Sequence, residues 1–314
     1  PIPPVLPVLL IRQFRLFRPL LPTTAPIPFE SPHQPPSPMR HGFIGYGNLA
    51  RAIHQGLADR PGHTFAYVTK DPAPEPRFPA KRMGSISELR SASDALWLCV
   101  KPQDLPAVLN ELRTELRTEP PAESAPQGDP PASNVVVSPV AGTSMRTIAE
   151  RLGPHVPVLR IMPNLATAFR QSVTAYCRSH SDPAPYAAVL DDLRTLGMAV
   201  ELPERHFDLF TAVFGSGPGF LLLIVSVLKT RISEFGLDES QAEALLNQLL
   251  IGTHAYNLHH ADRTIEERIQ SVASRGGTTE AGMRHYLANG TDRLLADMIT
   301  AAEQRSKELS RSEF

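Results

Sequence analysis

Cysteine is nearly absent: among 314 residues only Cys99 and Cys177 carry a thiol. Two thiols build neither a disulfide framework nor a zinc centre by themselves, and Cys99, set in an apolar run, reads as a small buried hydrophobe. An excess of one charge is also missing. Lys and Arg number 31 against 32 Asp and Glu, a formal net charge of −1. That balance lacks the basic surplus of a nucleic-acid or membrane-surface binder. Long apolar runs are missing too; Phe220 to Val225, the longest, is too short to span a bilayer. No Ser-His-Asp arrangement or metal-ligand constellation is visible, so no metal is expected. These absences lead us to expect a cytoplasmic protein with neither nucleic acid nor membrane as partner.

Glycine is absent from the first 38 residues, where about a third of positions are proline. Missing N–H donors and fixed φ angles forbid a helix or a central strand, so 1–38 is expected to be a disordered leader. Arg12, Arg15 and Arg18 among Leu and Phe faintly resemble an organelle-targeting peptide, but the proline density opposes the amphipathic helix such a peptide needs. Met39 is the first methionine and stands just ahead of the first strand pattern. We therefore expect the native chain to start there, the leader being translated upstream sequence.

What is present is concentrated in His41-Gly42-Phe43-Ile44-Gly45-Tyr46-Gly47-Asn48-Leu49-Ala50. An apolar run ends in Gly-x-Gly-x-x-Ala and passes straight into a helical pattern. Gly45 permits the tight turn, and Gly47 lets the backbone approach a pyrophosphate. Small Ala50 lets helix and strand pack closely, and the helix start offers free N–H groups to the anion. The competing reading is a merely structural strand–helix turn. With Tyr46, Asn48 and Leu49 these positions are the candidate dinucleotide contacts.

Apolar strand patterns recur at His63–Val68, Ala95–Val100, Val135–Ser138, Val158–Met162 and Val173–Tyr176, with helical patterns at Ser85–Ala92, Leu105–Thr118 and Ser144–Leu152. Strands apolar throughout are buried on both faces, and their alternation with helices predicts an α/β fold: a Rossmann doubly wound sheet with right-handed crossovers. Pro120 to Ser133, proline-rich and polar, reads as an inserted surface loop. From about Glu204 only helical patterns remain, at Gly217–Phe235, Glu239–Leu258, Ile265–Ala273, Glu280–Ala288 and Asp292–Glu308. So apolar a helical half needs partners, which predicts intersubunit packing. The expected domains are a leader at 1–38, a Rossmann dinucleotide-binding domain at 39–202 and a helical substrate and dimerisation domain at 203–314.

Four segments outside the fingerprint carry further chemistry: Val100-Lys101-Pro102-Gln103, Arg160-Ile161-Met162-Pro163-Asn164, Gly215-Ser216-Gly217-Pro218 and Gly276-Gly277-Thr278-Thr279-Glu280-Ala281-Gly282. In their order and spacing, from Met39 to Ser310, the chain resembles the Δ1-pyrroline-5-carboxylate reductase family. The resemblance implies NAD(P)H-dependent reduction of the cyclic imine to L-proline, the last step of proline biosynthesis. It also implies homodimers able to assemble into larger rings. By the same resemblance Val100 and Lys101 line the nicotinamide and its ribose, Asn164 lies beside the nicotinamide, and Ser216 and Gly217 border the substrate pocket at the dimer interface.

The residues suit those roles on physical grounds. Val100, Lys101 and Pro102 end a central strand, the edge where open α/β sheets bind ligands; a strand-end turn with a solvated lysine is the alternative. Asn164 is equally an ordinary turn asparagine. Gly276, Gly277, Thr278 and Thr279 precede a helix, whose unpaired N–H groups and two hydroxyls form a cradle for the substrate's one carboxylate; a simple N-cap is the rival reading. A protonated imine needs little activation, so the task is to hold its C5 against nicotinamide C4. Thr279 is the candidate to assist at the imine nitrogen, with Asn164 and Lys101 as the other candidate catalytic groups. Thr69 and Lys70, at the end of the second strand, suit a 2′-phosphate and favour NADPH, while Asp71 leaves NADH open.

The chain departs from the family pattern at Phe214, Gly219 and Phe220, where the pattern has Ser, Ala and Tyr. It departs again at Leu165-Ala166 (usually Thr-Pro) and at Arg275 (usually Pro). Three alternatives follow: a reductase of another small cyclic imine, a catalytically impaired NADPH-binding regulator, and a β-hydroxyacid dehydrogenase. The last resembles a pattern of catalytic Lys followed by Asn on the long helix, whereas here Lys229 precedes Thr230, Arg231, Ile232 and Ser233.

Overall fold

The computed structural model describes residues 38–70, 75–117 and 134–311. The leader up to Ser37, the Asp71 alternative and the inserted loop expected over 120–133 lie outside the described residues. The described residues form two compact units, one running up to residue 221 and resuming at 297, the other of residues 222–296.

The first unit is built on eight strands: β1 Arg40–Ile44, β2 Thr64–Val68, β3 Lys81–Arg82, β4 Ala95–Leu98, β5 Val135–Ser138, β6 Val158–Met162, β7 Ser172–Arg178 and β8 Gly197–Glu201. They form one sheet in the order β3-β2-β1-β4-β5-β6-β7-β8. Its register is fixed by pairs such as Phe43 with Tyr67 and Phe43 with Trp97. The side-chain period of two sends Phe43, Trp97 and Val137 to one face and Ile44, Leu96, Leu98 and Val136 to the other. Ala50, Ile53 and Leu57 of helix α1 (Asn48–Leu57) cover the first face, together with Val189 and Leu193 of α5 (Ala187–Thr195). The second face is covered by α2 (Ile86–Ser91), α3 (Leu105–Arg117) and α4 (Met145–Leu152), through Leu89, Leu109, Leu112 and Ile148.

Neighbouring strands are parallel except β6 and β7, which run antiparallel. The expectation of crossovers throughout fails here for a local reason. Between these strands lies only the 3-10 turn Leu165–Phe169, too short for the dozen or more residues a parallel connection needs. The chain reverses at Arg170, left-handed at φ 59°. Three elements, β3, α5 and β8, carry no clear signal in the residues: β3 has two exposed residues and β8 lies at a sheet edge.

After α6 (Phe207–Phe210) a π-helical turn spans Thr211–Gly215, and α7 (Gly217–Ile232) leads out of the first unit. The second unit continues with α8 (Glu239–His259), α9 (Ile265–Val272), α10 (Thr278–Ala288) and the start of α11 (Thr291–Arg311). α8 starts at a reciprocal capping box, Asp238 accepting from the Gln241 N–H while the Gln241 side chain accepts from the Asp238 N–H. The apolar run Phe220–Val225, too short by itself, is embedded in a longer helical run. Among the described residues, Glu204–Phe235 is one helix that by length and composition alone could cross a membrane. Most of its apolar side chains are exposed, with Leu221, Leu222 and Val227 near two-thirds.

Candidate functional site

A cleft of about 530 Å³ opens at the carboxyl ends of β1, β2 and β4, where the strand order switches direction. Gly45, Tyr46, Gly47, Thr69, Lys70, Val100 and Lys101 all line it. Gly45 holds φ +85°. A Cβ there would fall 2.5 Å from the Cys99 carbonyl oxygen, so the turn between β1 and α1 closes against β4 only with glycine. Hydrogen bonds from the Gly45 N–H to the Val68 carbonyl and from the Cys99 N–H to the Ile44 carbonyl, both 2.8 Å, pin the turn between its neighbours. An added Cβ at Gly47 meets nothing within 4 Å, and no side chain caps α1. Uncapped N–H groups beside an open approach are what a pyrophosphate requires, so these residues fit a dinucleotide.

Three of the proposed contacts stand outside this lining. Leu49 packs into the sheet core, the Asn48 side chain accepts from Arg51 Nη2 at 2.7 Å, and Pro102 opens a 3-10 turn. Arg51, Gly84, Ser85 and Asp104 line the cleft without having been singled out in the sequence. Arg51 follows the glycine pattern by one helical turn and was readable there; Gly84 and Ser85 follow β3, which gave no signal.

Tyr46 sits between the two glycines, stacked on Tyr67 with ring centroids 4.2 Å apart. Its hydroxyl bonds His54 Nδ1 at 2.6 Å, fastening the turn to α1. Burial pushes the Tyr46 phenol up to about 12 and the His54 imidazole down to about 4. Both groups are therefore neutral near pH 7.

The strand-end segment at Asn164 and the segment before α7 are brought together in the same unit. Asn164 Nδ2 donates to the Phe214 carbonyl at 2.9 Å, and its Oδ1 accepts from the Ala166 N–H at 3.0 Å. Met162 Sδ lies 3.9 Å from where a Gly215 Cβ would stand. The Ser216 N–H donates to the Thr211 carbonyl at 2.8 Å, the wide-turn bond of a π-helix, a feature that recurs at functional sites. Phe214, at the family's Ser position, packs against Phe210 with the rings tilted and their centroids 4.6 Å apart. Gly217 then opens α7 with free space around it.

The Gly-Gly-Thr-Thr segment belongs to the second unit. Gly277 is the N-cap of α10 and no side chain caps that helix, so the first-turn N–H groups of Thr278 and Thr279 are open to an anion. Gly276 is left-handed at φ +73°, and its N–H donates to the Glu280 carboxylate. Thr278, Thr279 and Arg275 are exposed.

At the opposite end of the first unit's strands, His41, His63 and Asp192 bring possible metal-ligand atoms within 4.8 Å of one another. Their hydrogen bonding argues against a cation. The Trp97 indole is only a donor, and it donates to His41 Nδ1 at 3.1 Å. The His41 proton is thus on Nε2, which faces Asp192 Oδ2 at 3.4 Å and cannot also offer a metal its lone pair. Asp192 already meets Arg60 Nε at 3.2 Å and His63 Nε2 at 2.9 Å. This is a buried polar lock joining β1, β2 and α5.

A switch-point cleft with a glycine turn and an uncapped helix, followed by a helical unit, defines a dinucleotide-binding protein of the Rossmann class. Residues 40–120 match the NADP oxidoreductase, coenzyme F420-dependent, family, and 204–309 match the pyrroline-5-carboxylate reductase dimerisation family. The chain is 30% identical to pyrroline-5-carboxylate reductase of Pseudomonas aeruginosa over 279 residues, 86% of this chain and 97% of that one. It is 27% identical to pyrroline-5-carboxylate reductase 2 of Bacillus subtilis, over 85% of this chain and 94% of that one. Among solved structures, Plasmodium falciparum pyrroline carboxylate reductase with NADP bound shares the fold at TM-score 0.75 and 21% identity, covering 87% of this chain and 98% of that one. The Streptococcus pyogenes 1-pyrroline-5-carboxylate reductase follows at TM-score 0.71 and 25% identity, covering 86% and 98%. This chain belongs to the pyrroline-5-carboxylate reductase family.

Proposed function

We propose that this protein reduces Δ1-pyrroline-5-carboxylate to L-proline with NADPH, as the last step of proline biosynthesis. The observation that carries the reading is the glycine-turn cleft at the β1/β4 switch point in a chain aligned with pyrroline-5-carboxylate reductases over nearly their whole length. NADPH, when bound, supplies the hydride; the protein's residues supply placement. Gly45, Gly47 and the start of α1 receive the pyrophosphate, and Thr69 with Lys70 receives the 2′-phosphate. Val100 and Lys101, at the end of β4, border the nicotinamide half.

Asn164 acts by holding the π-turn, so that Gly215, Ser216 and Gly217 keep a fixed relation to the strand end. Thr278, Thr279 and the open N–H groups of α10 take the substrate carboxylate, with Thr279 assisting at the imine nitrogen. A protonated imine is already an electrophile, so alignment within the reacting distance supplies most of the acceleration. Replacing Thr279 by Ala should raise KM and lower kcat/KM; unchanged kinetics removes it from the site.

The reading as a β-hydroxyacid dehydrogenase loses support, because Lys229 Nζ is held by Glu239 at 3.0 Å and Glu243 at 2.9 Å. The apolar residues exposed on α7 and α8, such as Leu222, Leu249 and Ile251, fit a homodimer surface in a segment matched by a dimerisation family. On this reading the protein works as a homodimer or larger assembly in the cytoplasm, its Rossmann domain spanning 39–202 and its substrate and dimerisation domain 203–314. Gel filtration with light scattering tests the assembly; a monomer at micromolar concentration overturns that part.

A further inference from the structure

We infer that Arg51 is a specificity-determining residue for the cofactor, a second cation that grips the 2′-phosphate and separates NADPH from NADH. The inference rests on the reading of the cleft as an NADPH site. Arg51 stands one turn into α1 and is half-buried, lining the same cleft as Thr69 and Lys70 beyond β2. Asn48 Oδ1 accepts from its Nη2 at 2.7 Å, which orients the guanidinium and leaves its other donors for a ligand.

The charges that the described residues bring to this edge are unbalanced. Among the described residues no carboxylate pairs with Arg51 or Lys70. A further cation, Arg82 of β3, reaches the Thr69 carbonyl at 3.5 Å. The acids that line the cleft, Asp104 and Glu111, follow β4, on the other side of β1 from Thr69 and Lys70. The pyrophosphate belongs to the turn at Gly45 and Gly47, so cations gathered at the β2 side call for a second anion. A phosphate monoester on the adenosine ribose meets that need. Guanidinium can bind it with two parallel N–H bonds, which a lysine ammonium, a point charge, does not.

The test measures binding of 2′,5′-ADP and 5′-AMP to the full chain by calorimetry, with no turnover required. The wild type should bind 2′,5′-ADP at least about tenfold tighter than 5′-AMP, equivalent to about 1.4 kcal/mol. Arg51→Gln should erase most of that preference while leaving 5′-AMP binding unchanged, and Arg51→Lys should keep part of it. Equal binding of the two nucleotides by the wild type overturns the NADPH reading itself. A preference that survives intact in Arg51→Gln overturns the assignment of Arg51 and leaves the cofactor reading standing. Among the described residues the Arg51 side chain bonds its helical neighbour Asn48 and no other, so the variants should fold; circular dichroism verifies it.

Discussion

The two glycines of the nucleotide turn should fail in different ways when each is replaced by alanine. At Gly45 the backbone is left-handed, which costs an L-residue about 1–2 kcal/mol. The new Cβ would also lie 2.5 Å from the Cys99 carbonyl oxygen and 2.8 Å from its carbon. Backbone cannot swing aside as a side-chain tip can, so β1 and β4 must separate locally. The Cys99 N–H to Ile44 carbonyl bond is the first to go, worth about 1 kcal/mol. Gly45→Ala should therefore lose roughly 2–4 kcal/mol of stability in urea unfolding. At Gly47 the backbone is extended at φ −81° and an added methyl has free space, so Gly47→Ala should stay within about 0.5 kcal/mol of wild type. That methyl nevertheless stands where the pyrophosphate must approach, and NADPH affinity by fluorescence titration should fall about tenfold or more. If Gly47→Ala binds NADPH as tightly as the wild type, the turn is not where the pyrophosphate lies. If Gly45→Ala is as stable as the wild type, the steric argument for the turn fails.

Stability should also fall with acidification below neutrality. Burial pushes His41 to about 3 and His54 to about 4, so the folded protein resists protons that the unfolded chain takes up near pH 6.5. Their contribution is complete above that value and is lost as pH falls toward the folded values. Between pH 7.5 and 5.5 unfolding free energy should drop by about 2–3 kcal/mol, read from urea midpoints; a flat profile contradicts it. Asp192, raised by burial, opposes this only nearer the carboxylate range. Asp192→Ala removes the carboxylate shared by His41, Arg60 and His63, while Arg60 keeps Asp191, and should cost about 1–3 kcal/mol with NADPH affinity unchanged, as the lock lies at the far ends of the strands. Asn164→Ala releases the Phe214 carbonyl and should lower kcat/KM about tenfold or more with little change in NADPH affinity. Unaltered kinetics would make it an ordinary turn asparagine.

The nucleotide half of the protein was legible because its signals are local. Gly45 and Gly47 appear in the chain beside the strand and helix they join, and Val135–Ser138 and Val158–Met162 are strands at those limits. What escaped depends on partners distant in sequence. The two residues of β3 are held only by β2, and the reversal of β7 follows from a short connection rather than from composition. Asn164 was marked by its place after a strand, yet its link to Phe214 spans 50 residues and leaves no trace in either segment. The lock around Asp192 gathers four side chains from three parts of the chain, and a lone buried His or Asp in sequence does not show its partner. Arg51 was passed over because the fingerprint ends at Ala50, although the cleft does not.

The central claim is tested most directly by adding Δ1-pyrroline-5-carboxylate to the purified protein with NADPH and following NADPH absorbance and proline together. The account predicts that NADPH is consumed and L-proline appears in equal amount. Tight NADPH binding with no turnover would contradict it and make the chain a binding homologue that has lost the reaction.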